Sequence, residues 1–257
     1  METKFIIDQK FEEKTKNTFY DNYNSVPSAI EVSWRDFGAI SKCESILALC
    51  SGKKINRVVE VGCGLCNVIS RLNELNFASE YYGLEISPSS LNYIRENVRI
   101  KTLKAVYLLD TTKTTFEDDF FDLAILSHVI EHVHNPENLI RESLRISKNL
   151  IIEVPLEDCL SLNVYSKIVE KVFNKKRESN PIGHINFFNK VAVERLVNES
   201  GGKVVNARAY RSWRVYSPTL RPSIMLEYLN SILFYLIFKL SKSGIVDAHY
   251  TMLVRKK

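Results

Sequence analysis

From Arg57 to Val154, short β-branched runs alternate with amphipathic helical patterns. Few folds accommodate that alternation: it calls for a parallel sheet with helices on both faces, a doubly wound α/β architecture. Strands are expected at Arg57–Val61, Tyr81–Glu85, Ala105–Leu109, Phe121–Leu126 and Leu150–Val154, with helices at Cys66–Leu75, Ser89–Val98 and Pro136–Ile146. Ser87-Pro88 and Asn135-Pro136 each set a capping residue before a proline at the first helical position. A further helix over Asn189–Ser200 stops at Gly201-Gly202, and the last strands are expected at Lys203–Tyr210 and Ala248–Arg255. With 257 residues, 45% of them hydrophobic and 25% charged, the chain can fill one such core without disulfides or metals as staples. The same composition excludes a disordered tail, a collagen-like rod and a disulfide scaffold.

The strongest local signal is Arg57-Val58-Val59-Glu60-Val61-Gly62-Cys63-Gly64-Leu65-Cys66-Asn67, an apolar strand entering a turn with two glycines before a helical pattern. Glycine there lets the backbone approach a ligand, and the next helix N-terminus presents free N–H groups. Glu85 ends the following strand. Ligands of open parallel sheets sit at the carboxyl ends of strands, where an acid can accept hydrogen bonds from a ribose diol.

Three ordered motifs carry a resemblance: Glu60-Val61-Gly62-Cys63-Gly64, Tyr82-Gly83-Leu84-Glu85-Ile86-Ser87, and Phe121-Asp122 through Ser127-His128-Val129-Ile130-Glu131-His132-Val133. Over residues 56–205 the chain resembles the class I S-adenosylmethionine-dependent methyltransferases, closest to the small-molecule and ubiquinone-pathway O-methyltransferase branch. The resemblance implies a Rossmann-like, mostly parallel seven-stranded sheet, with S-adenosyl-L-methionine as cofactor and S-adenosyl-L-homocysteine as product. It implies that Glu60, Gly62, Cys63 and Gly64 form the loop at the methionyl end of the cofactor. Glu85 then corresponds to the ribose-binding acid, with Ile86 beside the adenine. Asp110 and Thr111 would meet the adenine amino group, and Ser127 and His128 would line the methionine moiety. Cys66 departs from the pattern, standing where the family often has a third glycine.

Two motifs suggest other chemistry. Cys63-Gly64-Leu65-Cys66 reads as C-x-x-C, but no second such pair exists and its residues already serve the glycine turn. His128-Val129-Ile130-Glu131-His132 matches H-x-x-E-H, which on one helix face would bind zinc with Glu131 as general base, the pattern of a zinc hydrolase. Some ubiquinone-pathway relatives bind a divalent metal with acids and a histidine at this place. Glu131 and His132 match them, whereas His128 replaces an acid, and no metal is expected. Pro181-Ile182-Gly183-His184-Ile185-Asn186-Phe187-Phe188 resembles a G-H-x-x-F-F run of relatives. His184 near the acceptor makes the first candidate for a base, and His128 the second.

Three segments fall outside the alternation. Residues 1–50 are expected to form a helical lid, separate from the cofactor-binding unit at 51–257, with Tyr20 and Tyr23 towards the acceptor. Arg35 there would pair with the methionyl carboxylate through its guanidinium fork. Residues 157–183 and 211–246 are substrate-side insertions, the second preceding the last strand. From Glu157 onward 17 basic residues face 8 acidic ones, whereas the first 156 residues hold 18 against 22. Arg211 and Arg214 beside the apolar stretch Ile224–Leu240 therefore point to an anionic, glycosyl or lipid-linked acceptor, or to peripheral membrane contact. A buried helix or a dimer interface explains that apolar stretch as well as a lipid surface does and is the preferred reading, and a monomer or homodimer is expected. Nucleic acid is not the expected partner, because no Asn/Asp-Pro-Pro-aromatic motif occurs. Charges throughout Met1–Lys16 leave no signal-peptide run, and the five cysteines are expected as reduced thiols of a cytoplasmic protein. The reading is O-methylation of a small molecule. Methylation of nitrogen on a small molecule or RNA, and a catalytically inactive partner subunit that binds the cofactor, are the alternatives.

Overall fold

The computed structural model describes residues 4–7, 29–108, 113–156, 183–210 and 249–257. Its strands are β1 (Lys4–Ile7), β2 (Arg57–Val61), β3 (Glu80–Glu85), β4 (Leu103–Leu108), β5 (Leu123–Ser127), β6 (Leu150–Pro155), β7 (Gly202–Tyr210) and β8 (His249–Lys256). The helices are α1 (Ala29–Leu49), α2 (Asn67–Glu74), α3 (Pro88–Asn97), α4 (Pro136–Ile146) and α5 (Lys190–Glu199). One sheet runs in the order β1-β4-β3-β2-β5-β6-β8-β7. Every pair is parallel except β6/β8 and β7/β8, so β8 alone runs against its neighbours. The chain reverses direction across the sheet between β2 and β5, which opens a crevice at their carboxyl ends.

Period-two alternation distributes the strand side chains between two cores. Val58, Leu123, Ile125 and Ile151 face α1, α2 and α3, while Val59, Ala124, Leu126 and Ile152 face α4 and α5. Burial on both faces explains why these strands read as continuous apolar runs. Along α1, Ala39, Cys43 and Ile46 recur at helical spacing and pack into the first core, joined by Cys50 just past the helix end. The proline starts predicted from sequence are present: Ser87 Oγ accepts from Ser90 N at the start of α3, and α4 begins at Pro136.

Seven strands from Arg57 onward form the expected sheet, and Lys4–Ile7 adds an eighth at the β4 edge. The N-terminal extension is therefore not wholly helical, since its pairing with β4 is a long-range contact that local periodicity does not encode. The strand expected to begin at Phe121 begins at Leu123; Phe121 instead bridges to Ser147. No helix among the described residues is long and apolar enough to cross a membrane. The apolar stretch Ile224–Leu240 and most of both insertions lie outside the described residues.

A buried ionic cluster fastens the connection after β4 to α4. Glu142 accepts from Thr114 N and Thr114 Oγ1, each at 2.7 Å, and from Arg145 at 2.7 and 2.9 Å. Burial opposes its ionisation, but Arg145 and Thr114 outweigh that and hold its pKa below the usual range. Glu142→Ala should cost about 2–3 kcal/mol, because the charged hydrogen bonds to Thr114 and Arg145 are lost and Arg145 keeps only the exposed Asp118 as a carboxylate partner among the described residues. Urea unfolding at pH 7 measures this, and the deficit should shrink as the pH falls and wild-type Glu142 takes up its proton.

Candidate active site

The turn after β2 is built on left-handed backbone: Gly62 at φ 74°, Gly64 at 54° and Cys66 at 62°. Gly62 N and Cys63 N both donate to Leu84 O, which ties the turn to the end of β3. A Cβ on Gly62 would lie 2.7 Å from Val129 Cγ2, and one on Gly64 would lie 3.2 Å from Arg35 Nη1. A left-handed φ of this kind favours glycine, and position 66 has cysteine. Cys66 holds that conformation with its side chain fully buried in the core, at a strain of about 1–2 kcal/mol. Cys63 packs its Sγ against Gly83, so it turns only its backbone to the turn. The Cys66 contact and burial push the Cys63 thiol well up, opposite to what a redox dithiol needs.

Glu85 ends β3 buried behind this turn. Its Oε2 accepts from Gly64 N at 2.7 Å, and its Oε1 accepts from Ile86 N and Ser87 N, both at 2.9 Å. Burial raises its pKa, while these three N–H groups and Arg35 pull the other way. Of about four lone-pair directions on a carboxylate, one on Oε2 is left for a hydroxyl donor. Gly62, Glu85 and Ile86 line a shallow recess that continues to Thr114, Leu139 and Glu142. Asp110 and Thr111 lie outside the described residues, as do Tyr20, Tyr23, Arg211 and Arg214.

Glu60 lies within β2, and its Oε2 is buried with no hydrogen-bond partner among the described residues. Burial pushes its pKa up to about 8, against the pull of Lys42. An orphaned carboxylate oxygen beside a glycine turn suits an ammonium group. Arg35 at the turn, the free direction on Glu85 and the recess fit the rest of an aminoacyl nucleoside. The residues present therefore suit S-adenosylmethionine. Lys42, two helical turns beyond Arg35 on α1, was missed in the sequence; its seven-residue offset from Arg35 was the available signal.

A second cluster occupies the ends of β5, β6, β7 and β8. His128 follows β5 at φ 57°, and its backbone N–H donates to Glu153 O at 3.0 Å. Its Nδ1 lies 3.2 Å from Glu131 Oε1. Its Nε2 lies 3.1 Å from His249 Nδ1 and 3.4 Å from Glu153 Oε1. Glu153 Oε1 also accepts from Tyr210 Oη at 2.5 Å, and Glu153 Oε2 accepts from Ser127 Oγ at 3.1 Å. Burial opposes ionisation of Glu153, yet His128, Lys42 and Tyr210 hold its pKa down to about 2. For His128, burial and Lys42 favour the neutral ring, but Glu131 and Glu153 outweigh them and raise its pKa. Glu153, Tyr210 and His249 were not singled out in the sequence, because register alone brings them together: Ser127 pairs with Glu153, Pro155 with His249, and His249 with Tyr210.

His128 and His132 do not share a helix face. Positive φ at His128 breaks the run, and only a short 3₁₀ turn, Ile130–His132, follows. His132 packs instead against His184, ring centroids 4.7 Å apart. The segment carrying His184 is clamped to this turn: Ile185 N and Asn186 N donate to Glu131 O, and Asn186 Nδ2 to Ile130 O and Val133 O. His184 is 6% exposed, whereas a quarter of the His128 side chain is open. Of the two phenylalanines that close this segment, Phe187 is exposed and Phe188 is buried.

A methyltransferase-domain family profile matches residues 35–207. Solved structures share the fold at low identity. An S-adenosylmethionine-dependent methyltransferase from Archaeoglobus fulgidus is 14% identical, with a TM-score of 0.57, over 97% of this chain and 100% of that one. A chain from the complex of the Haloferax volcanii Trm112 methyltransferase activator is 12% identical, with a TM-score of 0.58, over 92% and 97%. A Thermotoga maritima S-adenosylmethionine-dependent methyltransferase, described as a possible histamine N-methyltransferase, is 18% identical, with a TM-score of 0.52, over 87% and 91%. No curated protein matches the sequence. With the profile spanning the turn, the acid of β3 and the segment after β5, the chain belongs to the methyltransferase-domain family and is an S-adenosylmethionine-dependent methyltransferase.

Proposed function

We propose that the protein methylates a hydroxyl of a small, anionic, glycosyl or lipid-linked molecule, held over the ends of β5, β6 and β8. The observation that carries this is the His128–Glu153–His249–Tyr210 cluster, which begins one residue beyond Ser127 on the cofactor side. When bound, S-adenosylmethionine supplies a methyl group activated by a sulfonium. Glu60 and Arg35 hold its amino and carboxylate ends, Glu85 its ribose, and Asp110 and Thr111 its adenine. Ser127 and His128 line the methionyl chain.

Catalysis then rests on alignment and on disposal of the acceptor proton. With the cofactor bound, the acceptor hydroxyl would be held in line with that methyl group, and the proton it gives up would pass into the cluster. His128, the more open of the two candidate imidazoles, stands at that place. His184 acts by positioning, bracing His132 and the turn that carries Glu131. Arg208, exposed on β7 next to the cluster, begins a basic run continued by Arg211 and Arg214, which suits an anionic acceptor. Tyr20 and Tyr23 of the N-terminal extension would cover that acceptor, and a monomer or homodimer in the cytoplasm is the expected setting.

Titration with S-adenosylhomocysteine should give one-to-one binding, and Glu85→Ala should weaken it roughly 10- to 100-fold, about 1–3 kcal/mol. Radiolabelled methyl transfer to a panel of phosphorylated and glycosylated alcohols, amines and RNA tests the acceptor. Label appearing only in amines or RNA would displace the hydroxyl reading.

A further inference from the structure

We propose that His128 Nε2, His249 Nδ1 and Glu153 Oε1 form a binding site for one divalent transition-metal ion, of which zinc is the representative. The three atoms are 3.1, 3.4 and 4.0 Å apart. Ligands about 2.1 Å from a tetrahedral ion stand about 3.4 Å from each other, so the set converges on one point with little rearrangement. Two imidazoles and a carboxylate, from the residue after β5 and from β8 and β6, with positions left open, make a donor set that suits borderline divalent metals.

The surroundings are those that metal ligands need. His128 keeps its Nε2 for the ion while Nδ1 faces Glu131, a fully buried carboxylate whose oxygens have no aligned hydrogen bond. A carboxylate behind a ligating histidine fixes its tautomer and ring orientation. Glu153 is oriented in the same way, by Tyr210 on one oxygen and Ser127 on the other. The left-handed backbone at His128 is a strained conformation, and it aims the ring between the two carboxylates. The inference deepens the hydroxyl-methylation reading and rests on it only for its purpose: a cation here makes a coordinated hydroxyl more acidic, so a free imidazole need not take the proton.

The test uses tag-free, full-length protein, stripped with a chelator and titrated with zinc chloride. Bound metal is counted by mass spectrometry, and cobalt substitution is followed by visible absorption. Wild type should retain one equivalent, give the intense visible bands of low-coordinate cobalt, and melt at higher temperature with zinc. His249→Ala and Glu153→Gln should each weaken zinc at least 100-fold while retaining wild-type far-UV circular dichroism. Should Glu153→Gln not fold, His249→Ala and a Tyr210→Phe variant, expected to lose 10-fold or more, carry the test. Folded wild type that retains no zinc overturns the proposal. So does binding untouched in these variants, or binding lost only in His132→Ala, which would put the ion with Glu131, His132 and His184. Parallel titration with S-adenosylhomocysteine separates failure of the methyltransferase reading from failure of the metal site.

Discussion

Glu60→Gln should make the unliganded protein more stable than wild type at pH 9 by about 3–5 kcal/mol, with little difference at pH 4.5. Burial holds the Glu60 carboxyl protonated up to about pH 8 in the fold, whereas in the unfolded chain it ionises near its ordinary 4.5. Between those values the native state binds a proton that the unfolded state lacks, so stability falls as pH rises. Below 4.5 both states are protonated, and above 8 the penalty is constant. Glutamine keeps the shape and removes the titration. Urea midpoints of both proteins at pH 4.5 and 9 measure the gap. A gap that does not widen means that Glu60 is ionised in the fold and already has its countercharge.

The same carboxyl links cofactor affinity to pH. An ammonium group arriving beside Glu60 favours its ionised form, so binding expels a proton wherever the free protein is protonated. Affinity for S-adenosylhomocysteine should therefore rise with pH from 6 towards 8, by up to about tenfold per pH unit. Calorimetry in buffers of different ionisation enthalpy should count the released proton. Glu60→Gln should bind weakly at every pH and without that dependence.

Gly62→Ala should lose S-adenosylhomocysteine binding by more than about 100-fold and cost the fold about 2–5 kcal/mol. Two effects add. A side chain at φ 74° carries left-handed strain, and its Cβ would meet Val129 Cγ2 at 2.7 Å. Valine is stiff at χ1, so its relief must come from moving the turn that carries His128 or the glycine turn itself. Gly52 is the control: it has the same φ of 74° but open space around its missing Cβ. Gly52→Ala should cost only the strain, about 1–2 kcal/mol, and leave ligand binding intact. Equal effects of the two substitutions on binding would mean that the Gly62 approach to Val129 does not shape the site.

These predictions draw on the part of the protein that is written locally. A strand, a glycine turn and a helix within residues 57–74 are specified by neighbouring residues, as are the proline starts of α3 and α4 and the acid that ends β3. Lys42 was half legible, because helical spacing puts it on the same face as Arg35, but not that this face lies over Glu60 and Glu153. The meaning of Cys66 needed backbone angles: from its letter it is a missing glycine, and in the fold it is a strained, buried helix start.

The sequence by itself determined the cofactor end of this protein, since periodicity, glycine and cap chemistry act over a few residues and need no partner. Only the tertiary structure decided the other end. Inserting β8 antiparallel between β6 and β7 brings His249 to His128 across 121 residues, and sets Tyr210 and Glu153 around them. The positive φ of His128 then separates it from His132, undoing a motif that spacing suggested. Strand register and the hand of one backbone angle are settled by packing of the whole sheet, so no local pattern could have announced that cluster.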